Sequence, residues 1–156
     1  MLNYAIKQKP KICLVGIECR TSNDSGAAMN DIPMLWELFY NENIIDQIPN
    51  KVSEEIISLY CDYEGDHTQP YSVVIGCPVK SMDGVPEGLV VKEIPEGTYA
   101  AYRALGEHPQ TLIKTWEEIW KTDLPRTYTG DYEVYGEKFN SGSPQEVEVY
   151  IAIENQ

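Results

Sequence analysis

Phenylalanine is scarce in this sequence: two residues, against eleven tyrosines and three tryptophans. Histidine also numbers two, and the four cysteines form no CxxC pair. The start, "MLNYAIKQKPKICLVGIECR", has no long apolar core and no small-residue cleavage signal, and no run of about 18 apolar residues follows. Each shortage excludes something. Without an apolar span or a secretory signal, the expectation is a soluble, cytoplasmic protein with no membrane partner. Without metal-ligand spacing or a glycine-rich phosphate loop, no metal and no cofactor are expected. Cys13, Cys19, Cys61 and Cys77 lie on apolar strand-like runs and read as buried free thiols in a reducing compartment. Basic residues are short as well. Twelve Lys+Arg face 25 Asp+Glu, a formal net charge of -13. Such a field repels phosphate backbones and favours cations, so direct binding to nucleic acid is disfavoured.

The 156 residues suit one domain with a proper core. "KICLVGIECR" reads as a strand, followed by the soft segment "TSNDSGAAMND". "DIPMLWELFYNENI" reads as a helix, with Pro33 in its first turn and Asn30 or Asp31 as cap. Ile32, Leu35, Trp36 and Phe39 share one apolar face. "IISLYCDYEG" and "PYSVVIGCPV" are strands joined by the hairpin-like loop "EGDHTQ". "LVVKEIPEGTYAAYRALG" is a strand, a Pro-Glu-Gly turn and a strand. A second helix, "HPQTLIKTWEEIWKTDL", has Pro109 in its first turn and Leu112, Ile113, Trp116, Ile119 and Trp120 on its apolar face. "DYEVYGEKF" and "EVEVYIAI" close the chain as strands around the loop "NSGSPQ".

The order strand–helix–strand–strand therefore occurs twice, with a short strand between, in halves of about residues 11–80 and 88–154. Two such halves side by side predict an α+β fold: an antiparallel sheet in pseudo-two-fold arrangement, two helices packed on it, and a central cleft.

Tyrosine and tryptophan offer ring faces with a polar handle, and a core does not need that bias. A Tyr/Trp-rich interior with one acidic residue suits a lipophilic cation, through apolar area, cation–π attraction and a counter-charge. Glu133 lies between two tyrosines in "GDYEVYGE". Alternation puts Asp131, Glu133 and Tyr135 on one face and Tyr132 and Val134 on the other. Neither face is plainly apolar, so parity leaves Glu133 open as a surface charge, a catalytic acid or a counter-ion. Glu146 and Glu148 alternate with Val147, Val149 and Ile151 and read as a solvated face. His67 in a loop and His108 at a helix start read as surface or capping residues. No Ser–His–Asp or Cys–His spacing stands out, and Cys61 or Cys77 as nucleophile lacks an identifiable base.

Taken in order, "IPMLWELF", "LYCDYEGDHTQPYSVVIGCPV", "VPEGLVVKEIPEGTYAAYRALG", "TWEEIWKTDLP", "DYEVYGE" and "EVEVYIAI" resemble the GyrI-like small-molecule-binding family. The likeness spans about residues 11–153 and is greatest to the stand-alone, integron-associated effector-binding type. The same fold forms effector domains of AraC-type and multidrug-responsive MerR-type regulators. The resemblance implies a cleft in which an acidic residue of an aromatic-Glu-x-Tyr strand binds cationic, lipophilic compounds. That residue maps onto Glu133, with Tyr132 and Tyr135 completing the motif; parity favours Tyr135 as its companion in the cleft. Pocket walls would come from Trp36, Trp116 and Trp120 on the helices and from Tyr60 and Tyr71 on strands. The sequence departs from those regulators in one respect: the likeness leaves no length for a DNA-binding domain and the acidic balance agrees, so a stand-alone effector-binding module across residues 1–156 is expected. A hydrolase using the same cleft, or a modulator of a protein partner such as a gyrase inhibitor, is the alternative.

Overall fold

The computed structural model describes residues 4–66 and 68–155, the side chain of Ser25 apart. His67 lies outside the described residues. Strands β1 (Ala5–Lys9), β2 (Ile12–Thr21), β3 (Ile56–Cys61), β4 (Tyr71–Pro78), β5 (Val90–Ile94), β6 (Gly97–Gly106), β7 (Asp131–Tyr135) and β8 (Gln145–Ile153) form one antiparallel sheet. Their order across it is β1-β6-β8-β7-β3-β4-β2-β5. Helices α1 (Ala27–Asn41) and α3 (Gln110–Lys121) are the long ones; α2 (Ile44–Gln47) and α4 (Glu137–Asn140) are single turns.

The expected duplication is present. β2-α1-β3-β4 and β6-α3-β7-β8 repeat one order, and the sheet reads symmetrically outward from the central β3/β7 pair. Outside these halves an exchange occurs. β1 leads into β2 but pairs with β6, while β5 leads into β6 but pairs with β2. Residues 10–11 and 95–96 alone make these two connections. A residue spans at most about 3.6 Å, so both edges must approach their sequence neighbours, and the sheet curls. β1 is absent from the sequence reading because "AIKQK" is polar and mostly exposed, as suits an edge strand.

Both sheet faces are buried. On one, Leu14, Leu59, Val74, Ile94, Tyr99, Tyr132 and Tyr150 form a core with no helical member, which the curled sheet closes by itself. On the other face, α1 packs Leu35 and Phe39 onto Val73 and Ile75. There α3 packs Ile119 onto Val147, Val149 and Ile151. Both helix faces follow the apolar spacing of the sequence.

Several boundaries differ from expectation. α1 starts earlier, after Gly26 at φ 74°, because Ala27, Ala28 and Met29 are good helix formers. Pro33 is therefore inside the helix, where it withholds an N–H from the ladder. Asp31 does not cap; its Oδ2 accepts a hydrogen bond from Thr21 Oγ1 at 2.8 Å. In the second helix Pro109 is the cap, not a first-turn residue. β7 ends at Tyr135, and the following residues turn into α4, whose Phe139 meets the Tyr135 and His108 rings edge-on. Glu146 is not solvated: it is 5% exposed, held by Arg103 Nη2 at 2.8 Å and Lys138 Nζ at 3.6 Å. Glu148 is half-buried. Cys61 and Cys77 are buried as expected, whereas Cys13 and Cys19 are only half-buried; all four are free. Among the described residues, no helix is long and apolar enough to cross a membrane.

Candidate functional site

The helix-covered face of the central strands leaves a cavity of about 630 Å³ between α1 and α3. That lies within the range of about 300–1,000 Å³ that small-molecule sites occupy. Trp36 comes from α1, Trp116 and Trp120 from α3, Tyr60 from β3, Tyr71 from β4, and Glu133 and Tyr135 from β7; all seven line it. The structure thus brings together these seven residues, named from the sequence as counter-charge and pocket wall. Trp120 is 45% exposed and stands at the mouth, with Met29 and Ile113. Tyr132 is elsewhere. Strand alternation sends it through the sheet, where it stacks on Tyr150 at 4.8 Å.

Glu133 is 2% exposed. Parity was undecided because "DYEVY" carries a polar or aromatic residue on either side; the neighbouring strand decides it. β3 pairs Ser58 with Glu133 and Tyr60 with Asp131, and α3 lies above. Three donors converge on the carboxylate. Tyr135 Oη donates to Oε1 at 2.7 Å, and Trp116 Nε1 and Tyr60 Oη donate to Oε2 at 2.7 and 2.9 Å. Hydrogen bonds to a charged group contribute about 1.5–3 kcal/mol each, while desolvating an ion costs several kcal/mol. Burial prevails: it raises the Glu133 carboxyl above its ordinary value, and the bonds from Tyr135, Trp116 and Tyr60 draw it only partly back. The same burial, with the Glu133 charge beside them, pushes the Tyr60 and Tyr135 hydroxyls well up. Both therefore serve as donors. Among the described residues, no cationic side chain forms an ion pair with Glu133.

Asp131, two residues earlier on the same face, is treated differently. It is fully buried, and Arg126 Nη2 meets its Oδ2 at 2.7 Å. Tyr63 Oη donates to the same oxygen at 2.7 Å, and the Ala152 backbone N–H donates to Oδ1 at 2.8 Å. The Arg126 guanidinium also lies 4.3 Å from the Tyr128 ring centroid. Arg126 and Tyr63 line the cavity, and sequence reasoning missed both. Arg126 sits in the loop after α3, where no periodicity applies. Tyr63 follows Asp62, whose φ of 51° breaks the strand and resets alternation. Thiol chemistry finds no support: burial pushes Cys61 up to about 12 and Cys77 up to about 11.

The aromatic contacts run crosswise. Trp36 meets Tyr135 edge-on at 4.9 Å, and Trp116 meets Tyr60 edge-on at 5.4 Å. The result is a carboxylate on the floor of a ring-lined chamber, with apolar helix residues such as Ile32 and Leu112 above.

Known proteins share this architecture. YobU of Bacillus subtilis (strain 168), named after a proposed role in transcriptional regulation, is 30% identical over 147 residues, 88% of this chain and 89% of YobU. An integron cassette protein from the mobile metagenome of Vibrio cholerae superposes with a TM-score of 0.75 at 27% identity, covering 97% of this chain and 96% of its own. SAV2435, solved bound to tetraphenylphosphonium, has the same fold with a TM-score of 0.81 at 19% identity, over 98% of this chain and 94% of that one. Residues 5–153 match the family described as integron-associated effector binding protein, and the chain belongs to it.

Proposed function

We propose that this protein binds a lipophilic organic cation in the cavity between α1 and α3, with Glu133 as the counter-charge. One observation carries the reading. Glu133 is a buried carboxylate on the cavity floor with only neutral donors, whereas Asp131, two residues earlier on the same strand, has a cationic partner. A cationic ligand completes that arrangement, and the rings around it add cation–π attraction. The net charge of -13 favours the approach of cations. Membership of an effector-binding family and the tetraphenylphosphonium held by SAV2435 support the same reading.

The test is a titration with tetraphenylphosphonium, followed by tryptophan fluorescence, on the parent and on Glu133→Gln. Trp36, Trp116 and Trp120 all line the cavity, so quenching reports occupancy. The variant should bind at least about tenfold more weakly, a difference of about 1.4 kcal/mol. Equal affinity in the two proteins rules out the counter-charge role.

A further inference from the structure

The Trp/Tyr pairs across the cavity obey the pseudo-two-fold axis, and its charge does not. "WELFY" in α1 aligns with "WEEIW" in α3, matching Trp36 to Trp116 and Tyr40 to Trp120. Ser58 faces Glu133 across the central strand pair, so the axis passes between them. Tyr60, two residues past Ser58, then corresponds to Tyr135, two residues past Glu133. Contacts follow this symmetry. Each tryptophan meets the tyrosine of the other half, at 4.9 Å and 75° for Trp36–Tyr135 and 5.4 Å and 73° for Trp116–Tyr60. Each also packs on its own i+4 ring, at 6.0 Å for Trp36–Tyr40 and 6.1 Å for Trp116–Trp120.

The mate of Glu133 is Ser58, fully buried and uncharged. The mate of Asp131 is Ile56, and Asp131 is itself neutralised by Arg126. Among the described residues, two matched Trp/Tyr pairs therefore share one buried carboxylate without a cationic partner; the other acidic residue lining the cavity, Glu117 on α3, is solvent-exposed.

We propose that the cavity selects ligands carrying one positive charge, and that position 58 sets that limit. The inference rests on the reading of the cavity as a cation site. A second cationic centre on a rigid ligand loses its water on the Trp36 side and meets no carboxylate there. Cation–π attraction to the rings is weaker than the cost of stripping water from a second ion. Rings alone do not hold the second charge. The ligand class is a bulky aromatic monocation, such as a quaternary ammonium, pyridinium or phosphonium, and bis-cations are discriminated against.

A matched pair tests this. 1-Methyl-4-(4-tolyl)pyridinium and 1,1′-dimethyl-4,4′-bipyridinium share one shape and differ by one charge. Calorimetric titration is carried out on the parent, Ser58→Ala, Ser58→Asp and Glu133→Gln. The parent should prefer the monocation at least about tenfold, and Ser58→Ala should keep that ratio. Ser58→Asp should cut it by about tenfold or more, since a dication can draw both neighbouring carboxyls into the ionised form. Ile56→Asp, at the half-buried mate of Asp131, supplies the second carboxylate should Ser58→Asp not fold. Equal binding of both probes by the parent, or the parental ratio in a folded second-carboxylate variant, overturns the monovalent limit. A monocation affinity that Glu133→Gln leaves unchanged overturns the cation site itself, which separates the two failures.

Discussion

Trp116 donates its indole N–H to Glu133 Oε2 at 2.7 Å, tying the second long helix to the floor of the cavity. Trp116→Phe keeps an aromatic ring and removes the donor. The Glu133 carboxylate then keeps two of its three bonds. Folding stability at neutral pH should fall by about 1.5–3 kcal/mol, the contribution of a hydrogen bond to a charged group. Denaturant melts at neutral pH measure it, and a change under about 0.5 kcal/mol would show the bond to be unimportant.

The raised Glu133 pKa makes stability depend on pH with a definite sign. Burial is the cause, so the folded protein keeps this proton over a range in which the unfolded chain has lost it. The stabilisation is complete below the ordinary value of 4.5 and is lost as pH rises toward the folded pKa. Glu133→Gln removes this dependence. The variant should melt higher than the parent near about pH 7.5, with the gap closing near about pH 4. Thermal melts at the two values measure it; a variant less stable at the higher pH contradicts the sign.

Cation binding should carry the matching signature. A bound positive charge pulls the carboxyl down, so binding releases protons where the free protein still holds them. Affinity should fall as pH drops through the folded pKa. Calorimetry of tetraphenylphosphonium in buffers of differing ionisation enthalpy reads the released protons directly. No buffer dependence at any pH on the acid side would contradict the linkage.

Arg126 and Asp131 form a buried pair, 6% and 0% exposed. Arg126→Met leaves Asp131 charged and uncompensated, at a cost of about 3–5 kcal/mol. Adding Asp131→Asn should restore much of that stability. A double-mutant cycle by chemical denaturation checks the coupling, and additive losses would show that the pair is not coupled.

Gly16 and Gly76 face each other across β2 and β4. A Cβ on Gly16 would run into the Ile75 carbonyl oxygen, and one on Gly76 into that of Val15. Both obstacles are backbone, so relief requires the strands to part. Gly16→Ala should therefore destabilise more than the roughly 1–3 kcal/mol of ordinary overpacking. Melting temperature is the readout, and an unchanged value would show that the strands yield freely.

Much of this was legible in the chain. Ile32, Leu35 and Phe39 announce α1 because one helix face meets one sheet face, and periodicity carries that information. The duplicated order emerges from the same local signals. Glu133 was different. Its burial depends on Ser58 and Tyr60 in β3 and on Trp116 in α3, none adjacent in sequence. Family resemblance pointed to the residue; alternation within β7 alone could not. Glu146 misled for a related reason. Its own strand looks half-solvated, but Arg103 and Lys138 cover it from β6 and α4. Arg126 and β1 carried no periodic signal at all.

The exchange of β1 and β5 has a mechanical consequence. Each half wears the other's leading strand at its rim, so the two are clasped rather than merely abutted. A chain nicked between β4 and β5 would yield fragments that part only by unpairing β3 from β7 and both borrowed edges together. The walls of the chamber are thereby kept at a fixed spacing by strands that contribute no residue to it.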